Sequence, residues 1–551
     1  TGFTGPGSTG SDIAFTGNYA IMGNYLGFQA FDISNPTNPR LVVGYLCPTS
    51  QGDPTVYRNL MFVSGENPSN RTDCGSAPLT TDSTTGASME RFRGIRIFDI
   101  SDMAHPRLIK NLQTCRGSHT NTLVTDPDDR DNVYVYVSGY SSVRSDAELA
   151  GCKASNDPAD KSSSQYRIEV IQVPLAHPEQ ARVVNAPHLL ADLAGRTVHA
   201  APTADTVGRG AAAAARAGGA GRAGGRAGGR AGGGRAAVAP NPTPGVGQNG
   251  CHDITSYPAI GLAGGACGGY GLLFDITDAK NPRRLTVVSD SNMSFWHSAT
   301  FSNDGDKVLF SDEWGGGSQP RCKATDPLIW GGNAIFTLQG TKLDFKSYYK
   351  MPAAQTAQET CTAHNGSLIP VPGREIMVQA FYQGGITVFD WTDPANPFEI
   401  AFFDRGPAVG GSGGFWSAYW YNGYLYGNDE GRGIDVWELT PNAYLSQNEI
   451  DAAKSVKLPY FNAQEQQRFV WPATFALARS YLDQLERNNG LSASRIAAVR
   501  SELTAAESAS GSARSSRLSA LAASLTSDIA SARDHGRTQR LQAAIQGLAG
   551  M

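Results

Sequence analysis

Residues 30–42 read AFDISNPTNPRLV, and nearly the same phrase returns as IFDISDMAHPRL at 97–108, LFDITDAKNPRRL at 273–285 and VFDWTDPANPFEI at 388–400. A degenerate copy, VIQVPLAHPEQARVV, covers 170–184. Each copy sets a β-branched or aromatic strand before an Asp or polar residue, a Pro-marked turn and a second strand, the pattern of a β-hairpin. A hairpin phrase that recurs at intervals of roughly 40 residues or more points to a repeat architecture.

Two further short strands lie upstream of each phrase. In the fifth unit they are HSATFS, the turn NDGD and KVLFSDE at 297–313, and in the sixth SLIPV, PGR and EIMVQAF at 367–381. Four strands make one unit, and seven units begin near Ser11, Gly52, His119, His252, His297, His364 and Trp416. A four-stranded unit cannot bury both faces alone, so radial stacking is expected. The expected fold is therefore all-β: a seven-bladed β-propeller of four-stranded blades over residues 1–440, with a C-terminal α-helical tail.

One stretch interrupts the repeats. Residues 200–250 are almost entirely Ala, Gly and Arg around AAAAARAGGAGRAGGRAGGRAGGGRAA, between the third and fourth units. The stretch reads as a flexible, solvated insert. Deleting 205–245 is expected to leave the fold intact, because closure entropy changes only slowly with loop length. A deletion variant melting many degrees below its parent would refute this. Residues 441–471 read as a connecting segment. From 472 to 551, Leu and Ala recur at helical spacing, punctuated by Asn489-Gly490 and Gly511, giving three or four helices available to contact the propeller or a partner.

Charged residues are 17% of the chain and the net charge is −4, so nothing global favours nucleic acid or an anionic membrane as a partner. No apolar run approaches the ~20 residues of a transmembrane helix. Thr1 opens a Gly/Thr/Ser/Pro-rich stretch with no basic or apolar leader pattern, which reads as a mature chain whose export signal, if it had one, is gone. The eight cysteines form no CxxC, and an even, dispersed set in a turn-rich chain reads as disulfides in an oxidising compartment. The expected location is secreted, periplasmic or cell-surface. Loop positions pair Cys47 with Cys74, Cys115 with Cys152, Cys251 with Cys267 and Cys322 with Cys361.

Aligned on the first position of each inner strand, four consecutive units place histidine there: His119, His252, His297 and His364, out of nine in the chain. Inner strands ring the axis of a propeller, so these imidazoles are expected to converge on one channel mouth. Neutral imidazole is the commonest nitrogen ligand for zinc, copper, iron and nickel, so a transition-metal ion is expected, with zinc or copper the candidates. Glu66, Glu313 and Glu430 end second strands on the same side, and Glu313 in SDEWGGG is the best carboxylate candidate. His105, His177, His188, His199 and His535 fall in turns, beside the insert or in the tail. The acidic stretch DPDDRDN at 126–132 reads as a hairpin turn.

The "strand, D-I-[ST], N/D-P-x-x-P, strand" phrase resembles the LVIVD-repeat family of exported propellers, over most of residues 11–440. Residues 251–277, 295–317 and 361–385 carry the likeness most clearly. The resemblance implies a propeller and no single activity. More distantly, the histidine-bearing inner strands are similar to those of selenium-binding protein/methanethiol oxidase, a copper-dependent propeller. No GxSxG, HExxH, P-loop or dinucleotide fingerprint occurs, so no residue is assigned to catalysis. The expected function is an exported binding or scaffold module with a metal site at the axial mouth, taking a protein or small molecule on the propeller face. The alternative is a metal-dependent, oxidase-type enzyme using the same site.

Overall fold

The Asp of the repeated phrase builds its turn. Asp32, Asp99 and Asp275 each accept the backbone N–H two residues on (Ser34 at 2.9 Å, Ser101 at 3.0 Å, Thr277 at 3.0 Å), and each pairs with an arginine eight residues later: Arg40, Arg107 and Arg283. In the 388–400 copy Phe398 stands at the arginine position, and Arg374 from the preceding turn reaches Asp390 instead, at 2.6 Å. The exposed pairs contribute little to stability, because solvent screens them. They fix the loop that sets the hairpin register.

This computed structural model describes residues 3, 8–193, 250–408 and 413–550, so most of the Ala/Gly/Arg insert lies outside the described residues. Strands dominate up to Trp437 and helices from Phe475 onward. The strands form successive antiparallel sheets in which the order in space follows the order in sequence. Six units have four strands each, opened by Gly10–Thr16, Pro54–Tyr57, Thr122–Val124, Ile254–Tyr257, Trp296–Phe301 and Asn365–Ile369.

Burial orders each sheet from inside to outside. The opening strands are almost wholly buried, whereas a fourth strand such as Arg283–Val288 alternates between half-buried and exposed. The opening strands also hold one another. Ser11 Oγ donates to Gln51 O at 2.7 Å, Thr55 Oγ1 to Asn121 O at 3.3 Å, and Thr122 Oγ1 to Ile254 O at 2.5 Å. Asn365 and Gly366 pair in parallel with Ser417 and Ala418, joining the sixth and last groups into one seven-stranded sheet. Tyr419 then donates to Asp12 at 2.5 Å, bringing the last group back against the first. Sheets that radiate from a shared axis and close first-to-last form a β-propeller.

Two parts of the chain depart from expectation. The group opened by Phe415–Tyr421 holds three strands, ending at Gly433–Trp437, where four are expected. Helix α1 (Gln447–Ser455) follows, and its Ile450 and Ala453 join Leu425 and Tyr426 in one core cluster. The second departure is the segment after α1. Expected to be a connector, it crosses the opening strands at the ends remote from the histidines.

This strap reads YFNAQEQQRFVW from Tyr460 to Trp471. Phe461 pairs with Phe15 of the first sheet. Asn462 accepts from the Val56 N–H at 2.7 Å and donates to the Val56 carbonyl at 2.9 Å, and Gln466 makes the same reciprocal pair with Phe301 at 2.9 Å each. Between them, Gln464 donates to Asp253 at 2.8 Å, and Trp471 Nε1 donates to Pro370 O at 2.7 Å. Amide side chains thus supply the strand-edge groups with the donor and acceptor a neighbouring strand would give. Replacing the fully buried Asn462 with alanine leaves both Val56 groups unsatisfied. The expected loss is about 1–3 kcal/mol, read from the urea midpoint at unchanged slope.

Four helices complete the chain: α2 (Phe475–Arg487), α3 (Ala493–Glu507), α4 (Gly511–Ser531) and α5 (His535–Ala549). Leu482, Leu485, Val499, Leu503, Leu518, Leu525, Leu541 and Ile545 give them their own core. They dock on the turn before the sixth sheet's second strand, where Gln484 donates to Pro372 O at 2.9 Å. The disulfides are Cys47–Cys74, Cys115–Cys152, Cys251–Cys267 and Cys322–Cys361, the pairs the loop positions imply.

Candidate metal centre

The four aligned histidines form one continuous arc. Ring centroids are 4.2 Å apart from His119 to His252, from His252 to His297 and from His297 to His364. All four are buried, His297 and His364 to 1% exposure. Tyr140 and Phe295 stand against the His252 ring, and Tyr382 and Trp416 against the His364 ring, so aromatic faces wall the arc.

Hydrogen bonds orient three of the rings. His364 Nδ1 bonds the Trp416 carbonyl, which makes Nδ1 the protonated nitrogen and leaves the lone pair on Nε2. His252 Nδ1 lies 2.9 Å from Asp253 Oδ1. His119 Nδ1 lies 2.7 Å from Glu66 Oε1, while its Nε2 is buried without a hydrogen-bond partner. His297 Nδ1 is likewise buried and unpartnered, an arrangement that costs free energy unless something occupies the lone pair.

Two groups of three ligating side chains come close enough to share an ion: His252, Asp253 and His297, and His297, Glu313 and His364, with the ligand atoms of each group within 4.8 Å of one another. Glu313 Oε2 is 3.7 Å from His297 Nε2, and Oε1 is 3.9 Å from His364 Nε2. Ligands at ~2.1 Å from a tetrahedral ion lie roughly 3.4 Å from one another, so small rotations bring this set to bonding range. Tyr382 donates to Glu313 Oε1 and fixes the carboxylate. The run Gly315–Gly316–Gly317, all at positive φ, permits this approach: a Cβ on Gly317 would sit 2.3 Å from the Tyr382 ring.

Charge separates the four rings. Burial, then the neighbouring imidazoles, holds His297 well below its ordinary value, so it is neutral at pH 7. Burial would also lower His119, but the charge and hydrogen bond of Glu66 outweigh it and push His119 up to about 9. His119 therefore carries a proton at neutral pH. Glu66, which burial alone would raise, is held below the usual carboxylate range by the same partner. Beneath the arc, burial raises Asp12 and Asp253 to about 7, and burial with the Asp12 charge raises Asp53 further.

The sequence alignment named His119, His252, His297, His364 and Glu313, and these side chains lie together. His119 falls in neither three-residue group and is engaged by Glu66. Glu430 is also in neither group; its backbone pairs with Gly10 and Gly414. Asp253 was not named. The signal was the aligned column itself, where Asp follows the first position three times, at Asp12, Asp53 and Asp253.

A radial array of antiparallel sheets with a histidine arc at one end of its axis defines a β-propeller with a candidate metal centre. Residues 6–47 match the LVIVD repeat model, so the first blade of this β-propeller is similar to an LVIVD repeat. No curated protein matches the sequence. Similar solved structures include hydrazine synthase of Kuenenia stuttgartiensis, at 9% identity over 80% of this chain and 99% of that one, with a TM-score of 0.45. The periplasmic gluconolactonase of Pseudomonas aeruginosa is 12% identical over 83% of this chain and 98% of its own, with a TM-score of 0.41. The β-propeller domain of Cps50 (Swd1) from Myceliophteria thermophila is 9% identical over 80% and 99%, with a TM-score of 0.40.

Proposed function

We propose that the protein is an exported, seven-bladed propeller that holds zinc or copper on the histidine arc and serves as a binding or scaffold module, presenting the ion at the channel mouth. The observation that carries this reading is the buried, unpartnered Nδ1 of His297 between two carboxylate-bearing groups. His252, His297, His364 and Glu313 act as ligands. His119 completes the arc and joins the ligand set only by releasing the proton that Glu66 stabilises. Four disulfides support an oxidising location, and among the described residues no helix is long and apolar enough to cross a membrane. The ligand on the propeller face is a protein or small molecule, and the helical bundle is a second surface for a partner.

Protein purified, or stripped and reloaded, is expected to retain at least one equivalent of zinc or copper after passage over a weak chelating resin. Protons compete with metal for imidazole, so occupancy should fall as pH drops through roughly 6. His252→Ala or His297→Ala should release the ion while circular dichroism stays that of a folded β protein. A wild-type chain that cannot be loaded would make the arc a polar plug and leave a binding module without metal. Consumption of dioxygen by the copper-loaded chain, lost with His297→Ala, would replace the module reading with a metal-dependent oxidase.

A further inference from the structure

His297 belongs to both ligating groups, and its two ring nitrogens face different ones. Nδ1 looks toward Asp253 Oδ2 at 4.0 Å, on the side of His252. Nε2 looks toward Glu313 Oε2 at 3.7 Å, on the side of His364. The lone-pair directions of an imidazole ring diverge, so one ion cannot use both nitrogens. Each side offers the same complement: one further histidine and one carboxylate. We infer, building on the metal-site reading above, that the arc holds two divalent transition-metal ions, one on each side of a shared His297 ring.

The chemistry of the ring sets the consequence. Neutral imidazole has one N–H and one lone pair. The first ion takes the lone pair. The second requires the opposite nitrogen, so the N–H proton leaves to solvent as the new metal–nitrogen bond forms, and the ring becomes an imidazolate bridge. One proton is released and no electron moves. The carboxylates of Asp253 and Glu313 add one negative charge to each side. Outer contacts hold both in place: Gln464 of the strap donates to Asp253 Oδ2 at 2.8 Å, and Tyr382 donates to Glu313 Oε1. The strap thereby also fixes a ligand of the nearer ion. His297 Nδ1, on a side chain 1% exposed, has no hydrogen-bond partner, which leaves this nitrogen open to an ion on the Asp253 side.

The test is a titration of the full-length, metal-stripped chain with Zn²⁺ and, separately, Cu²⁺, with bound metal measured after desalting over a weak chelator. Two equivalents are expected. Asp253→Asn should leave one equivalent on the Glu313 side, and His364→Ala should leave one on the Asp253 side. His297→Ala should lose both; His297→Gln, of closer volume, serves if the alanine variant does not fold. Copper gives a second readout: the first equivalent should show the paramagnetic signal of an isolated Cu²⁺, and the second should reduce the spin count per copper through coupling across the bridge. A single equivalent abolished by both Asp253→Asn and His364→Ala would overturn the two-ion centre and leave the one-ion reading standing. Two equivalents with full, uncoupled spin would overturn the shared ring. No retained metal in the wild type would end both readings.

Discussion

Replacing Glu449 with alanine is expected to lower the stability of the helical end by about 3–5 kcal/mol, the cost of stripping one partner from a buried ion network. Glu449 is fully buried on α1 and receives three groups from two sides. Arg374, from the turn of the sixth sheet, reaches Oε1 at 2.8 Å; Gln484 and Arg487, from α2, reach Oε1 at 2.9 Å and Oε2 at 2.5 Å. The same carboxylate accepts the Ser446 N–H at 2.7 Å and completes the capping box of α1. One side chain thus joins the propeller, the strap-bearing segment and the bundle. Arg374 keeps Asp390 when Glu449 is removed, whereas Arg487 loses the carboxylate that its guanidinium faces. Limited proteolysis should then cut first between Trp471 and α2, while the disulfide-bearing loops stay resistant. Glu449→Gln, which keeps the shape but not the charge, should fall between the two. An alanine variant as protease-resistant as the parent would show that the helical core docks without this link.

The blades were legible because their turns are chemical as well as apolar. An Asp that accepts an N–H two residues on and an arginine eight residues on is visible in a string of letters, as at Asp32 and Arg40. The histidine alignment followed, since phase along the inner strand carries over from blade to blade. Asp253 escaped because adjacent strand residues normally point to opposite faces. Here the chain is irregular just before Ile254, with the His252 N–H on Ala266 O and the Ala266 N–H on Asp253 O, so the neighbours His252 and Asp253 meet at the axis. The strap was illegible for a different reason. Asn462, Gln464 and Gln466 have no apolar period, and their partners are 165 to 406 residues away in the chain.

The metal-free protein is expected to melt several degrees higher at pH 5.5 than at pH 8.5. Burial is the main cause of the raised values of Asp12, Asp253, Asp312, Glu375 and Glu465, all pushed up to about 7. A carboxyl raised in the folded state binds its proton more tightly there than in the unfolded chain. Its contribution is therefore complete below the ordinary carboxylate value and is lost as pH rises through 7. His119, raised to about 9 by Glu66 against the effect of burial, acts in the same direction: its contribution is complete below about 6.5 and is lost as pH rises to about 9. His297 and His188 oppose them, since an imidazole lowered by burial loses stability as pH falls below its ordinary value, and Lys350, lowered by burial to about 8, opposes them near the top of the range, but these are three groups against six. Metal opposes the slope. A bound ion requires neutral imidazole and ionised carboxylate, so its binding displaces the proton of Asp253, the one ligand among these six groups, and its stabilising increment grows with pH. Thermal melts in chelator and in excess zinc should be close together at pH 5.5 and far apart at pH 8.5. A chelated protein whose melting temperature rises steadily from pH 5.5 to 8.5 would show that the axial carboxyls are already ionised in the fold, and that no proton is there for a metal to displace.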